Sequence, residues 1–146
     1  MIDMNYFQLK NYEKAAEHCK TALVMHKQIY GPEHEFTATC YLKLGSIYDE
    51  LSQFEQSEEF FNKAIKIFQK LRITSGSTPV FLSSTYLTYG LALLERKEYD
   101  NAVAQFQKAI DAVNSSFGSP VNTGYLTHYG MLILALRGKA NALITR

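Results

Sequence analysis

The side chains of this chain that could do chemistry are four histidines, two cysteines and scattered carboxylates. The histidines are His18, His26, His34 and His128. No two of them have the one-turn spacing of a helical zinc site, and Cys-x-x-Cys is absent. Neighbouring acids such as Glu58 and Glu59 point in different directions on a helix, so they do not make an acid–base pair. The phosphate-binding, dinucleotide-binding and Gly-x-Ser-x-Gly motifs do not occur either. The sequence therefore predicts a protein that is not an enzyme and that has no metal and no cofactor.

Composition and charge exclude further classes of protein. Hydrophobic residues make up 47%, charged residues 20% and aromatic residues 13% of the chain, which is an ordinary globular composition. The formal net charge of +1 lacks the basic surface expected for nucleic acid or for an anionic membrane. Cys19 and Cys40 do not make a disulfide framework, and the chain begins without the pattern of a signal peptide. We therefore expect a cytoplasmic protein with no nucleic-acid partner and no membrane partner.

One pattern of residues recurs three times along the chain. In each copy an aromatic residue is followed by a small residue three positions later, a core residue four positions after that, and an alanine three further on. The copies are Tyr12, Ala15, Cys19 and Ala22; Phe54, Ser57, Phe61 and Ala64; and Tyr99, Ala102, Phe106 and Ala109. Offsets of three and four residues define one face of a helix, so each copy predicts an amphipathic helix.

A second pattern, with a glycine at its centre, also occurs three times. The copies are Tyr41-x-x-Leu44-Gly45-x-x-Tyr48, Tyr86-x-x-Tyr89-Gly90-x-x-Leu93 and Leu126-x-x-Tyr129-Gly130-x-x-Ile133. Glycine inside a helix costs about 1 kcal/mol relative to alanine. We expect this cost to be offset because a glycine lets a neighbouring helix approach closely.

Start and stop signals divide the chain into helices. Ser52 and Glu55 have the spacing of a capping box, and Thr78 followed by Pro79 is typical of a helix start. Gly31-Pro32 and Gly118-Ser119-Pro120 are typical of helix ends. The predicted helices are Asn11–Tyr30, Glu35–Leu51, Gln53–Leu71, Pro79–Arg96, Glu98–Phe117 and Asn122–Arg137, followed by a partial helix to Arg146.

Together, the two patterns resemble the tetratricopeptide repeat. In that family a helix with aromatic-x-x-Leu-Gly-x-x-Tyr pairs with a helix that carries alanine, an aromatic residue and alanine. The middle copy departs from this pattern only at Ser57, where alanine is usual. The first copy lacks most of its leading helix, and the last has Lys139 where an aromatic residue is expected.

The length of the repeat resembles a particular subtype of the family. Phe54 lies 42 residues after Tyr12, and Tyr99 lies 45 residues after Phe54, whereas the common repeat has about 34 residues. The additional residues lie between the units, as in Gly31-Pro32-Glu33-His34. Long second helices followed by such a connector resemble the kinesin light chain type of repeat.

The resemblance implies an all-α fold, with antiparallel helix hairpins stacked in a right-handed superhelix. We expect a single domain over residues 1–146, divided into units at about 1–34 (partial), 35–77, 78–120 and 121–146 (partial), and belonging to a longer array. In the family the first helices of the hairpins line a concave groove. The corresponding groove residues are Thr39, Leu42, Ser46, Asp49, Glu50, Ser84, Leu87, Leu91, Leu94, Glu95, Thr127, Met131 and Leu134.

The resemblance further implies a scaffold that binds a partner protein in this groove. The leucines Leu87, Leu91 and Leu94, with Met131 and Leu134, form an apolar band that suits an amphipathic helix or an extended peptide. A competing interpretation places the same leucines in the core. Three other hypotheses stay open. They are assembly of a homo-oligomer, end to end through uncapped repeat faces; binding of single-stranded RNA, with less support from the charge; and last an enzyme, since a fold alone does not exclude chemistry.

Overall fold

The structure is a computed structural model that describes the backbone of residues 6–75 and 79–117 and of Arg137. Residues 6–75 and 79–117 form five helices and no strand. The helices are α1 (Tyr6–Tyr30), α2 (Glu35–Glu50), α3 (Phe54–Ser75), α4 (Pro79–Glu95) and α5 (Tyr99–Phe117). The chain divides into two compact units, residues 1–76 and residues 77–146. In the first unit α1 packs on α2 and α2 on α3, and in the second α4 packs on α5. The predicted all-α fold of paired helices is confirmed.

The helix boundaries lie close to the predicted ones, with two larger differences. α1 begins at Tyr6 instead of Asn11, and α3 continues to Ser75 instead of ending at Leu71. Neither added segment contains glycine or proline, so nothing in it interrupts the helix, and α3 ends just before Gly76. α4 begins at Pro79, as predicted. The predicted helix over residues 122–137 and the partial helix after it lie outside the described residues.

The α2–α3 and α4–α5 hairpins turn in the same way, each through a left-handed residue that is not glycine. Ser52 has a φ of 60° and Lys97, 45 residues later, a φ of 63°. The N–H of Ser52 donates to the carbonyl of Asp49 at 3.0 Å, and the N–H of Gln53 donates to that of Tyr48 at 2.9 Å. The same two bonds recur around Lys97. This arrangement is a Schellman motif, which closes the end of the first helix of each pair.

The capping box predicted at Ser52 and Glu55 is therefore wrong. A residue that caps the start of a helix has an extended backbone. Ser52 instead has the left-handed conformation that ends α2, and α3 begins two residues later at Phe54. Ser52 and Glu55 have the spacing of a capping box, but Ser52 ends a helix and does not start one.

Aromatic and hydroxyl side chains order the connector between α1 and α2. Gly31 has a φ of 95°, and its carbonyl accepts a hydrogen bond from the Thr37 hydroxyl at 2.9 Å. His34 caps the start of α2, where its Nδ1 accepts a hydrogen bond from the N–H of Phe36 at 3.1 Å. The Tyr30 ring stacks on that of His34, with centroids 4.6 Å apart. These contacts fix the reversal of the chain between the two helices.

Both glycines that lie inside described helices are in close contact with a phenylalanine of the paired helix. A Cβ at Gly45 would lie 2.9 Å from the Phe61 ring, and one at Gly90 would lie 2.6 Å from the Phe106 ring. Both phenylalanines are fully buried. The close approach predicted at these glycines is confirmed.

A buried hydroxyl links the helices of each of these two pairs. Ser57 of α3 donates to the carbonyl of Gly45 in α2 at 2.7 Å, and Ser83 of α4 donates to the carbonyl of Ala109 in α5 at 3.1 Å. A helical carbonyl has a second lone pair, so it can accept such a bond without losing its own helical bond. The departure of Ser57 from the alanine of the repeat is therefore accommodated by a partner.

Candidate binding surface

Five of the predicted groove residues lie along one face of α2, outside its buried face. The buried residues of α2 are Thr37, Ala38, Cys40, Tyr41, Leu44, Gly45 and Tyr48. The predicted groove residues Thr39, Leu42, Ser46 and Asp49 are half-buried, and Glu50 is exposed. Leu42 is the one large apolar residue among them, so this face of α2 is mostly polar.

The equivalent face of α4, 45 residues later, is apolar. Leu87 stands in register with Leu42, Leu91 with Ser46, and Leu94 with Asp49. The three α4 leucines are half-buried, and so is Ser84. Glu95 is exposed, as is Glu50 in the same register of α2, so each face ends in its own carboxylate.

The burial of these leucines is intermediate between that of core residues and that of a fully open groove. The core of the second unit consists of other residues, among them Leu82, Leu93 and Phe106, all of which are at most 4% exposed. Leu87, Leu91 and Leu94 are less buried than these residues, although none of them is fully exposed. The predicted groove residues Thr127, Met131 and Leu134 lie outside the described residues.

A second surface, on the first unit, combines lysines with the rings of repeat tyrosines. The Lys20 ammonium lies 5.3 Å from the centroid of the Tyr48 ring. Those of Lys27 and Lys63 lie 5.4 and 5.6 Å from the centroid of the Tyr41 ring. Both tyrosines are buried. The sequence did not indicate the lysine contacts, because the three lysines come from two helices and have no common spacing. Their role in the fold is to cover the edge of the core, where each such contact is worth about 0.5–1 kcal/mol.

The titratable groups do not converge into a chemical site. No group of three or more histidine, cysteine or acidic side chains that could hold a metal ion is found among the described residues. Burial raises the pKa of the Cys40 thiol; the nearby Cys19 adds to this effect and Lys43 opposes it. A buried thiol with a raised pKa is a poor nucleophile at neutral pH. In the described part of the chain, no helix has the length and apolarity to cross a membrane.

Two protein-family models match parts of the chain. One tetratricopeptide repeat model matches residues 4–70, and another matches residues 83–112. The first match covers most of α1 to α3, and the second covers most of α4 and the first part of α5. The chain belongs to the tetratricopeptide repeat family.

Two known proteins are similar to parts of it. The Clustered mitochondria protein homolog of Candida albicans is 36% identical over 70 residues, which are 48% of this chain and 5% of that protein. The crystal structure of BtubC (BKLC) from P. vanneervenii superposes with a TM-score of 0.73 at 18% sequence identity. That match covers 90% of this chain and 51% of BtubC, so the chain spans about half of the one protein and a small part of the other. At this identity the structural likeness shows a shared fold, which fits the predicted kinesin light chain type of repeat.

Proposed function

We propose that this chain is a non-catalytic scaffold that binds a peptide or an amphipathic helix of a partner protein on the apolar face of the first helix α4. Tetratricopeptide repeats generally mediate interactions between proteins, and the family generally has no catalytic role. The observation that carries the proposal is the row of Leu87, Leu91 and Leu94, which are half-buried on a first helix of the repeat.

The spacing of these leucines defines the ligand that would fit. They lie at positions i, i+4 and i+7 of α4, so the row extends over about 10 Å of helix. A partner helix with apolar anchors at the same spacing, or an extended peptide with alternate apolar residues, would cover their accessible parts. Glu95 ends the α4 face with negative charge, which favours a basic residue at that end of the ligand.

A variant that transfers the α2 residues onto α4 tests the proposal. The double substitution Leu91→Ser with Leu94→Asp gives α4 the residues that α2 has in the same register, Ser46 and Asp49. Because the first unit already contains these residues at half-buried positions, we expect the second unit to keep its fold. Peptides would be selected from a displayed library on the unmodified chain, and their affinities for both proteins measured.

We expect the double substitution to weaken binding of the selected peptides by about 30- to 150-fold, since the two lost leucine contacts are together worth about 2–3 kcal/mol. The matched control is Ala104→Ser with Gln107→Asp, which introduces the same residue types at exposed positions of α5. Peptides that bind the double variant as tightly as the control variant would contradict the proposal. Circular dichroism of both variants would show that the helices are intact.

A further inference from the structure

Three stacked aromatic rings join α2 to α3 in the first unit. Phe60 of α3 stacks on Tyr41 and Tyr48 of α2, with ring centroids 6.1 and 5.4 Å away. Among the described helices of this unit, α1 and α3 each pack on α2 and not on one another. Tyr41 and Tyr48 belong to the buried face of α2, so the stacked rings lie on a different side of this helix from its predicted groove residues.

The ammonium groups of three lysines converge on these rings from two helices. That of Lys20 in α1 lies 5.3 Å from the centroid of the Tyr48 ring, and that of Lys27 in α1 lies 5.4 Å from the centroid of the Tyr41 ring. That of Lys63 in α3 lies 5.6 Å from the same Tyr41 centroid. All three lysines are exposed, so a ligand can reach their ammonium groups from solvent. We name Lys20, Lys27 and Lys63 the lysine cluster.

Most of the positive charge of the lysine cluster has no carboxylate beside it. Neither Lys20 nor Lys27 forms an ion pair with a described side chain. Lys63 pairs with Glu59 at 3.2 Å, but both side chains are exposed, and an exposed pair of this kind contributes little. The cluster therefore presents ammonium groups with which the carboxylates of a ligand can pair.

The positions of Lys20 and Lys27 carry neutral residues in the next second helix. In α3, 42 residues later, the equivalent residues are Asn62 and Gln69, and both are exposed. An amide at these positions is therefore compatible with the fold of the repeat. The packing of a second helix does not require the two lysines of α1, which leaves room for a role in binding.

We infer that the lysine cluster binds an acidic peptide segment of a partner protein, whose carboxylates pair with the ammonium groups of Lys20, Lys27 and Lys63. The ring contacts hold these side chains in place before binding, so less side-chain freedom is lost when the ligand binds. Lys20 and Lys27 are seven residues apart, which is about 10 Å along α1. A peptide in the polyproline conformation has three residues per turn and rises about 3.1 Å per residue, so its acidic residues three apart lie on one side with about the same separation.

The charges around the lysine cluster favour a peptide over a nucleic acid. Glu17 lies one turn before Lys20 in α1, and Glu59 lies one turn before Lys63 in α3, and both glutamates are exposed. Single-stranded RNA carries a phosphate at every nucleotide, so these carboxylates repel part of its backbone. A peptide can carry acidic residues only where they meet lysines. The near-neutral charge of the whole chain agrees with this choice.

The probe that tests this inference is a fluorescein-labelled peptide with glutamate at every third position and proline between the glutamates. Its affinity for the full chain would be measured by fluorescence anisotropy, and we expect saturable binding that weakens as salt is added. Lys20→Asn with Lys27→Gln, which gives α1 the residues of α3, should weaken binding about five-fold or more. Lys20→Arg with Lys27→Arg keeps the charge and should keep most of the affinity. The matched control is Lys14→Asn with Lys43→Gln, which removes the same charge at exposed positions on other sides of α1 and α2 and should leave the affinity nearly unchanged.

An NMR readout on the unmodified sequence does not depend on the folding of a variant. After reductive methylation of the lysines with isotope-labelled methyl groups, the peptide should shift the signals of the lysine cluster and leave those of Lys14 and Lys43 in place. The variant with Leu91→Ser and Leu94→Asp should bind the acidic peptide normally, so the outcome is independent of the α4 surface.

Three results would overturn the inference. The first is equal weakening by the Asn and Gln substitutions in the lysine cluster and in the matched control, because binding would then follow net charge alone. The second is equally tight binding of a peptide with glutamine in place of glutamate. The third is tighter binding of a single-stranded polyuridine RNA that displaces the peptide, because the ligand would then be a nucleic acid.

Discussion

Replacing Gly45 or Gly90 with alanine should destabilise the protein, although alanine is the better helix former. Helix propensity alone favours alanine by about 1 kcal/mol. The added methyl group, however, would lie 2.9 Å from the Phe61 ring at Gly45 and 2.6 Å from the Phe106 ring at Gly90. Both rings are fully buried and cannot turn aside freely. Overpacking of this kind costs about 1–3 kcal/mol, so the clash should exceed the gain in propensity.

We therefore expect Gly45→Ala to lower the free energy of unfolding by about 1 kcal/mol, and Gly90→Ala, where the approach is closer, by about 2 kcal/mol. Urea unfolding followed by circular dichroism measures both values. The control is Ser46→Ala, which changes the neighbouring, half-buried position of α2 without meeting the ring. Adding Phe61→Leu to Gly45→Ala should recover part of the loss, with a coupling energy of about 1 kcal/mol. A stabilising Gly45→Ala would refute the reasoning, because propensity would then be the only effect present.

Two further predictions concern the hairpin turns and the thiols. Ser52→Gly and Lys97→Gly should each raise the free energy of unfolding by about 0.5–1 kcal/mol, since glycine adopts the left-handed backbone without strain. Glu55→Gly, at an exposed helical position, should lower the free energy of unfolding by about 1 kcal/mol. Equal free energies of unfolding for the three glycine variants would contradict the left-handed backbone of Ser52 and Lys97. A thiol reagent at neutral pH should modify Cys40 more slowly than Cys19, because burial raises the pKa of the Cys40 thiol and only the thiolate reacts. The thiol of Cys40 has a higher pKa in the folded chain than in the unfolded chain, so the unfolded chain loses this proton at a lower pH. The contribution of Cys40 to stability should therefore fall as the pH rises above the ordinary pKa of a cysteine thiol. Faster labelling of Cys40 would argue against its burial.

The helices could be predicted from the sequence because several residues of the repeat indicate each helix independently. An aromatic residue, a small residue and an alanine on one face, together with a glycine in the preceding helix, indicate both the helix and its partner. Gly45 and Phe61 illustrate this, since each explains the presence of the other. The early start of α1 at Tyr6 could not be read from that pattern, because the first copy of the pattern begins only at Tyr12.

Local turn chemistry was harder to predict from residue types. Ser52 has the residue type of a helix start but serves as the left-handed end of α2, because the short connection leaves no room for a separate cap. His34 caps α2 through a ring nitrogen, a role for which serine, threonine, asparagine and aspartate are the usual residues. In both cases the geometry of the turn decided the role of the residue, and the residue types indicated only where the turn lies.

The candidate site could be predicted only as far as a helix face. The sequence placed Leu87, Leu91 and Leu94 on one side of α4, and they are half-buried there. How much of each leucine remains accessible depends on the packing of the whole unit, which the spacing of residues does not contain.

Methyl NMR during a titration with a library-selected peptide tests most directly whether first helices carry the binding surface. The methyl signals of Leu87, Leu91 and Leu94 should shift and saturate together. Those of Ile65 and Ile110, which are buried in α3 and α5, should stay in place. Shifts confined to residues of α3 and α5, with the three α4 leucines unchanged, would contradict binding on the first helices.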